Sequence, residues 1–197
     1  MNWRAVWLFV AAATALLGSP GPGIAALLAV GRSQGWARGL RYYGGLQFGL
    51  ACVVAICGAG LVSLLALYPI VGRALVIGAA LYLVYLGYSI AASPVGERAC
   101  ARPGAYSPIA GALLGITNPK AYLAISSLLA SPLTLSANSR ANIGIKVALC
   151  IAVIMLVDIV WLWIGVALGR AKLSRTGERA LNVAMGATIL IATAFSV

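Results

Sequence analysis

Long apolar stretches alternate with short polar and charged segments along the whole of this chain. Six stretches stand out, and each is close to or above the ~20 residues with which a helix crosses ~30 Å of hydrocarbon. They are residues 5–31, 42–72, 74–96, 103–139 with one interior lysine, 147–169 with one interior aspartate, and 180–197. The pattern predicts an all-α membrane protein with six transmembrane helices in a single transmembrane domain over residues 1–197.

The composition agrees with that pattern. Of 197 residues, 62% are hydrophobic and 9% are charged, whereas soluble domains average roughly 45–50% apolar and 25% charged residues. A water-soluble protein is therefore excluded. The connections between the spans are also too short to contain a soluble domain.

The net charge of +11 is best explained by the positions of the cations. If the N-terminus is outside, the inner connections contain Arg32, Arg38, Arg41, Arg98, Arg102, Arg170, Lys172, Arg175 and Arg179. The outer side contains Arg4, Arg73, Arg140 and Lys146. This positive-inside bias predicts a multi-pass membrane protein with both termini outside. Attraction to anionic membrane lipid is a secondary effect, and no nucleic-acid partner is expected.

Prolines interrupt the first and fourth predicted spans near their middles, in Ser-Pro-Gly-Pro-Gly at 19–23 and Thr-Asn-Pro-Lys at 117–120. Proline removes a backbone donor and frees a carbonyl, so both helices should be broken there. Unwound backbone at membrane depth is tolerated only against protein or a water-filled cavity. The candidates for substrate contact at the breaks are Pro20, Gly21, Pro22, Thr117, Asn118 and Pro119. A purely structural kink is the alternative.

Breaks at corresponding places indicate an internal repeat. The third and sixth spans also share an opening Arg-Ala-Leu, at 73–75 and 179–181. Three spans per half force the halves into opposite orientations, as in many secondary transporters. The sequence thus predicts two inverted three-helix repeats, at about 1–92 and 106–197.

Two charged residues and one amide lie within spans. Lys120 and Asp158 are ~18 Å and ~17 Å from the inner ends of their helices at ~1.5 Å per residue, so they can share one depth. An uncompensated charge there costs at least ~2.5–3.5 kcal/mol. They are expected either to pair structurally or to act on substrate or protons. Gln47 lies between Gly45 and Gly49, whose spacing favours close helix packing.

The four cysteines form no Cys-x-x-Cys pair, and the chain has no histidine. Small apolar packing residues are the favoured interpretation of the cysteines. No enzyme activity is expected, because a nucleophile would need a general base and the chain has no histidine. No metal site and no cofactor are expected either. A cation or metal effluxer of similar architecture stays the alternative function, although such a path favours a denser cluster of ligands.

Five motifs in order resemble the lysine-exporter (LysE/RhtB) superfamily of amino-acid translocators. They are Pro-Gly-Pro in the first span, Gly-Leu-Gln-x-Gly at 45–49, Gly-Ala-Ala-Leu-Tyr-Leu-Val-Tyr-Leu-Gly at 78–87, Thr-Asn-Pro-Lys in the fourth and Val-Asp in the fifth. The resemblance implies export of lysine, arginine, threonine, homoserine or homoserine lactone across a bacterial inner membrane, with protons as the coupling ion. By that resemblance, the motif positions are Pro20, Gly21, Pro22, Gln47, Asn118, Pro119, Lys120 and Asp158. A homo-oligomer is compatible with these spans.

Overall fold

The computed structural model describes residues 1–59 and 106–170, and also positions 84, 88, 92, 176, 177, 179, 180, 183, 184, 186 and 187. Within the two continuous stretches the chain is helical and has no strand. The helices are α1 (Trp3–Gly18), α2 (Pro22–Gly58), α3 (Pro108–Thr117), α4 (Pro119–Ala130) and α5 (Ser139–Arg170). The predicted third and sixth spans lie almost wholly outside the described residues. The part of the predicted repeat that they would form therefore also lies outside them.

Side-chain caps and prolines determine where the helices begin. The Asn2 side chain accepts a hydrogen bond from the Ala5 N–H at 3.2 Å and starts α1. Ser107 caps α3 in the same way. Helices α2 and α4 instead begin with Pro22 and Pro119 in their first turn, where the missing N–H would have no helical partner in any case. Both proline motifs therefore break the helix, as the sequence predicts.

Gly35 divides α2 into a first segment (22–34) and a second segment (36–58). Its φ of 70° and ψ of −169° lie in a region essentially restricted to glycine. Before it, Leu28 packs on Gly165 of α5 and Arg32 on Gly169, so the first segment runs parallel to α5. After it, Gly39 meets Leu162 and Gly58 meets Val147, in antiparallel order. The chain thus reverses at Gly35.

The second segment of α2 differs from the predicted span at both ends. It begins at position 36 rather than 42 and ends at Gly58, with Ala59 as its C-cap. Arg38 and Arg41 consequently lie in the helix rather than in a connection, and Arg38 donates to the Gln34 side chain at 2.8 Å. A charge near a span end does not stop a helix, because arginine can extend its head to water while its stem packs on apolar surface.

Two broken segments run antiparallel to each other. The first is α1 with the first segment of α2, and the second is α3 with α4. At one end Leu135, just beyond α4, accepts a hydrogen bond from the Asn2 N–H at 3.0 Å. Further along, Lys120 of α4 reaches the carbonyl of Ser19, just beyond α1. This order places the break at 19–21 directly beside the break at Asn118.

Glycines allow the second segment of α2 to lie against α3. A Cβ on Gly45 or Gly49 would collide with backbone carbonyls of α3. In return, a Cβ on Gly111 would stand 2.5 Å from the Tyr42 carbonyl oxygen, and one on Gly115 would stand 2.8 Å from that of Leu46. Small residues four apart on both helices permit this backbone contact. The packing role predicted for the Gly45 and Gly49 pair is therefore present.

Apolar side chains fill the interior and also cover the outside. Leu27, Leu46 and Leu162 are fully buried in the cluster between α2 and α5, while Trp7 is 71% exposed and Leu156 is 65% exposed. Such two-sided apolarity suits helices surrounded by lipid. Helices α2 and α5 are each long and apolar enough to cross a membrane, and α1 and α3 are shorter apolar helices.

Candidate functional site

A cavity lies where the two helix breaks face each other. Together with its open mouth it has about 450 Å³ of empty space. Its lining residues come from α1, both segments of α2, α4 and α5. They are Leu16, Leu17, Gly21, Gly23, Ile24, Leu50, Asn118, Lys120, Ala121, Ala124, Ile154 and Asp158.

The first break presents backbone carbonyls. Ser19 and Gly21 have extended dihedral angles, so the carbonyls of Ser19 and Pro20 leave the helical direction. The Lys120 ammonium donates to the Ser19 carbonyl and also to that of Pro20 at 3.4 Å. Lys120 lies directly over Gly21, since a Cβ on this glycine would stand 2.8 Å from Lys120 Cδ. The absence of a side chain at Gly21 therefore makes room for the lysine.

The second break presents a side-chain amide. Asn118 is 7% exposed, and its backbone carbonyl accepts from the Ala121 N–H at 3.1 Å as α4 begins. Its side chain makes no cap bond to the helix, and its Oδ1 atom has no hydrogen-bond partner. An unsatisfied buried acceptor costs about 1–3 kcal/mol. This oxygen, in a residue that lines the cavity, is therefore available to a ligand donor.

Helix N-termini add positive potential to the same place. The first backbone N–H groups of a helix have no intrahelical acceptor, and the aligned peptide dipoles give this end a partial positive charge. Both α2 and α4 begin at the cavity. The side-chain nitrogen of Asn118 would lie 3.8 Å from a Cβ added to Gly23. An anionic group in the cavity would therefore meet two helix N-termini as well as Lys120.

Asp158 supplies a negative charge from α5. It is 6% exposed, and its Oδ2 atom accepts a hydrogen bond of 2.7 Å from Gln47 Nε2. Gln47 thus holds the carboxylate by a contact across two helices, although it is not itself among the lining residues. Tyr43, one turn before Gln47, donates to the Met155 carbonyl at 3.0 Å and further ties α2 to α5.

Lys120 and Asp158 line one cavity, as their matching depths suggest, but they form no ion pair with each other. The lysine bonds to the carbonyls of the first break and the aspartate to Gln47. The direct structural pair considered from the sequence is therefore not present. The freed carbonyls explain this, because they offer the ammonium acceptors that a continuous helix would not provide.

The other predicted site residues fall into two groups. Pro22 and Pro119 begin the helices that flank the cavity. Pro20 and Thr117 are exposed on the outside of the breaks, and the Thr117 hydroxyl donates back to the Leu113 carbonyl at 2.7 Å. Neither of these last two residues lines the cavity.

The sequence does not reveal which apolar residues form the wall of the cavity. Leu16, Leu17, Leu50 and Ile154 come from three different helices, and nothing in their local sequence distinguishes them from other apolar span residues. The sequence also does not reveal the burial of Lys146, one of the predicted outer cations. It is 3% exposed and donates to the Ser131 carbonyl at 2.6 Å, so it caps the end of α4.

Thiols and carboxylates do not gather into a ligand cluster in the part of the chain that the structure describes. No group of three or more His, Cys, Asp or Glu side chains occurs there. Cys52, Cys57 and Cys150 are free, and Ser126 donates to the Cys57 sulfur at 3.5 Å. The fourth cysteine, Cys100, lies outside the described residues.

Comparison with known proteins gives one match. The model of the LysE type translocator family matches residues 14–196. No curated protein and no solved structure matches the chain.

Proposed function

This membrane protein belongs to the family of LysE type translocators, and from that premise we propose that it exports an amino acid or a close derivative across the bacterial inner membrane. The observation that carries the proposal is the cavity between the two helix breaks. Lys120 and Asp158 line it without pairing. A free amino acid carries the complementary carboxylate and ammonium, so its two charges match this site.

The chemistry of the cavity around Lys120 supports that assignment. An ammonium group has three donors, and Lys120 directs two of them to the carbonyls of Ser19 and Pro20. One donor remains for a substrate carboxylate. Broken helices with their N-termini at an anionic group are a recurrent arrangement in secondary transporters.

We also propose that the full chain forms six spans in two inverted repeats, with both termini outside. The antiparallel course of the two broken segments supports this arrangement, since inverted repeats place equivalent spans in opposite directions. Rocking of one repeat against the other would open the cavity alternately to the two sides of the membrane.

Protons are the proposed coupling ion, and Asp158 is the proposed proton carrier. A buried carboxylate at the substrate cavity can exchange a proton for an ammonium group, which couples the two movements. The Gln47 donor holds the carboxylate in place during this exchange. The alternative, a metal effluxer, is not favoured, because the described residues provide no cluster of metal ligands.

The test is transport in proteoliposomes containing the full chain. An acidic lumen should drive accumulation of labelled amino acids from a mixed panel, and an uncoupler should abolish it. Asp158→Asn should lose this driven accumulation, whereas Ser127→Ala, on the exposed face of α4, should retain it. Accumulation of a divalent metal ion instead of any amino acid would refute the proposal.

A further inference from the structure

The charges of the cavity limit the kind of amino acid that it can hold. Asp158 is the carboxylate among the described residues that line it. The chain has three acidic residues, and the other two, Glu97 and Glu178, belong to polar connections in the sequence. One carboxylate can compensate one ammonium group. A substrate with a second cationic group would leave that group without a counter-charge in a span of low dielectric.

Among the residues that the structure describes, the remaining lining of the cavity is apolar. Leucine and isoleucine side chains from α1, α2 and α5 form most of it, together with Ala121 and Ala124 of α4. An apolar wall stabilises an aliphatic side chain, but it would leave a charged or amide side chain without hydrogen bonds. The charged groups are thus at the breaks, and the space for a substrate side chain is apolar.

We propose, resting on the exporter function above, that the substrate is an α-amino acid with an uncharged aliphatic side chain. Its carboxylate binds Lys120 and the N-termini of α2 and α4. Its ammonium binds Asp158 and the unpartnered Oδ1 of Asn118, and its side chain contacts Leu50 and Ile154. This orientation uses each polar group of the cavity and gives the buried Asn118 oxygen the donor that it lacks.

Competition with wild-type protein tests the three contacts separately. Unlabelled valine and leucine should inhibit counterflow of the labelled panel at least about tenfold more strongly than lysine, arginine or glutamate. Isobutylamine lacks the carboxylate of valine, and isovalerate lacks its ammonium group, so both should be weaker than valine by at least about tenfold. The same ranking should appear when each compound is used to raise the melting temperature of the purified protein.

A variant tests the counter-charge argument directly. Ile154→Asp places a second carboxylate one helical turn before Asp158 and should shift preference toward lysine by at least about tenfold. Leu50→Glu provides the same charge from α2 if the first variant does not fold. The control Ala141→Asp adds a carboxylate to the exposed first turn of α5, away from the cavity, and should keep the preference for valine and leucine.

The outcomes separate this inference from the exporter function. Lysine or arginine as the strongest competitor of the wild type would overturn the aliphatic class and leave amino-acid export intact. Equal competition by isobutylamine and valine would overturn the contact between the carboxylate and Lys120. Lack of exchange of every amino acid by protein that is shown to be folded would overturn both proposals.

Discussion

The two helix breaks carry similar proline motifs but present different chemistry. The first contains three non-helical residues, 19–21, and Lys120 binds the carbonyls of Ser19 and Pro20. The second is a single residue, Asn118, whose buried side chain has an acceptor without a partner. The first break is thus satisfied within the protein, and the second has binding capacity left over. Proline determines that a helix stops, but the neighbouring residues determine what the gap can bind.

The largest expected effect on transport follows from replacing Lys120, whose ammonium connects the two breaks. Lys120→Met deletes the donor to the Ser19 and Pro20 carbonyls and leaves these acceptors unsatisfied at about 1–3 kcal/mol each when buried. Counterflow per folded protein should fall at least about 100-fold, as expected when a charged contact is lost. Arg140→Met removes an exposed cation and should leave counterflow unchanged. Equal losses in the two variants would mean that only total charge matters.

A double-mutant cycle that combines Lys120→Met with Asp158→Asn tests whether the two charges interact directly. Because the two charges bond to different partners, their coupling in thermal stability should be well below the ~3–5 kcal/mol lost when one partner of a buried ion pair is removed. Their effects on transport should be strongly non-additive, since both charges serve one substrate. A stabilising recovery in the double variant would instead indicate direct pairing.

Gly21 tests the space that the first break leaves for Lys120. In Gly21→Ala the new Cβ would stand 2.8 Å from Lys120 Cδ, and the extended φ of −168° means that the backbone itself tolerates alanine. The lysine must shift, so counterflow should fall about tenfold, equivalent to ~1.4 kcal/mol. Gly44→Ala is the matched control, because nothing lies within 4 Å of its Cβ position. Similar activity of the two variants would show that Lys120 adjusts without loss.

Asn118 gives a prediction of opposite sign for stability and function. Asn118→Ala removes the unpartnered oxygen and should raise the free energy of unfolding by up to about 1 kcal/mol, although it leaves a small cavity. The apparent affinity for substrate should nevertheless weaken several-fold. Thermal melting with and without substrate measures both quantities. A lower melting temperature without substrate would mean that Asn118 has a structural partner.

The smallest effect on stability is expected at Pro119. It lies in the first turn of α4, where its missing N–H is not needed, so Pro119→Ala should change stability by less than about 1 kcal/mol. Alanine also frees Asn118 to become helical, which allows α3 and α4 to join. Transport should therefore fall more than folded yield. Wild-type efflux by Pro119→Ala and Pro22→Ala together would show that the breaks act only as kinks.

The membrane character, the two broken helices and the polar residues at mid-span could be predicted from the sequence alone. These follow from local rules: apolar length, the missing donor of proline, and the cost of charge in hydrocarbon. It could place Lys120 and Asp158 at one depth, because helical rise converts residue number to distance. The glycine spacing at 45 and 49 similarly indicated close packing, although not which helix would be the partner.

Which groups meet depends on how the helices pack against one another. The rotation of each helix about its axis determines whether a side chain faces the cavity, so Asn118 lines it while its neighbour Thr117 is exposed. Freed carbonyls at the first break bind Lys120, and Gln47 binds Asp158. Neither contact is visible in one segment alone. The apolar wall is likewise assembled from separate helices, and its residues gain their role because the packing of those helices brings them to one cavity.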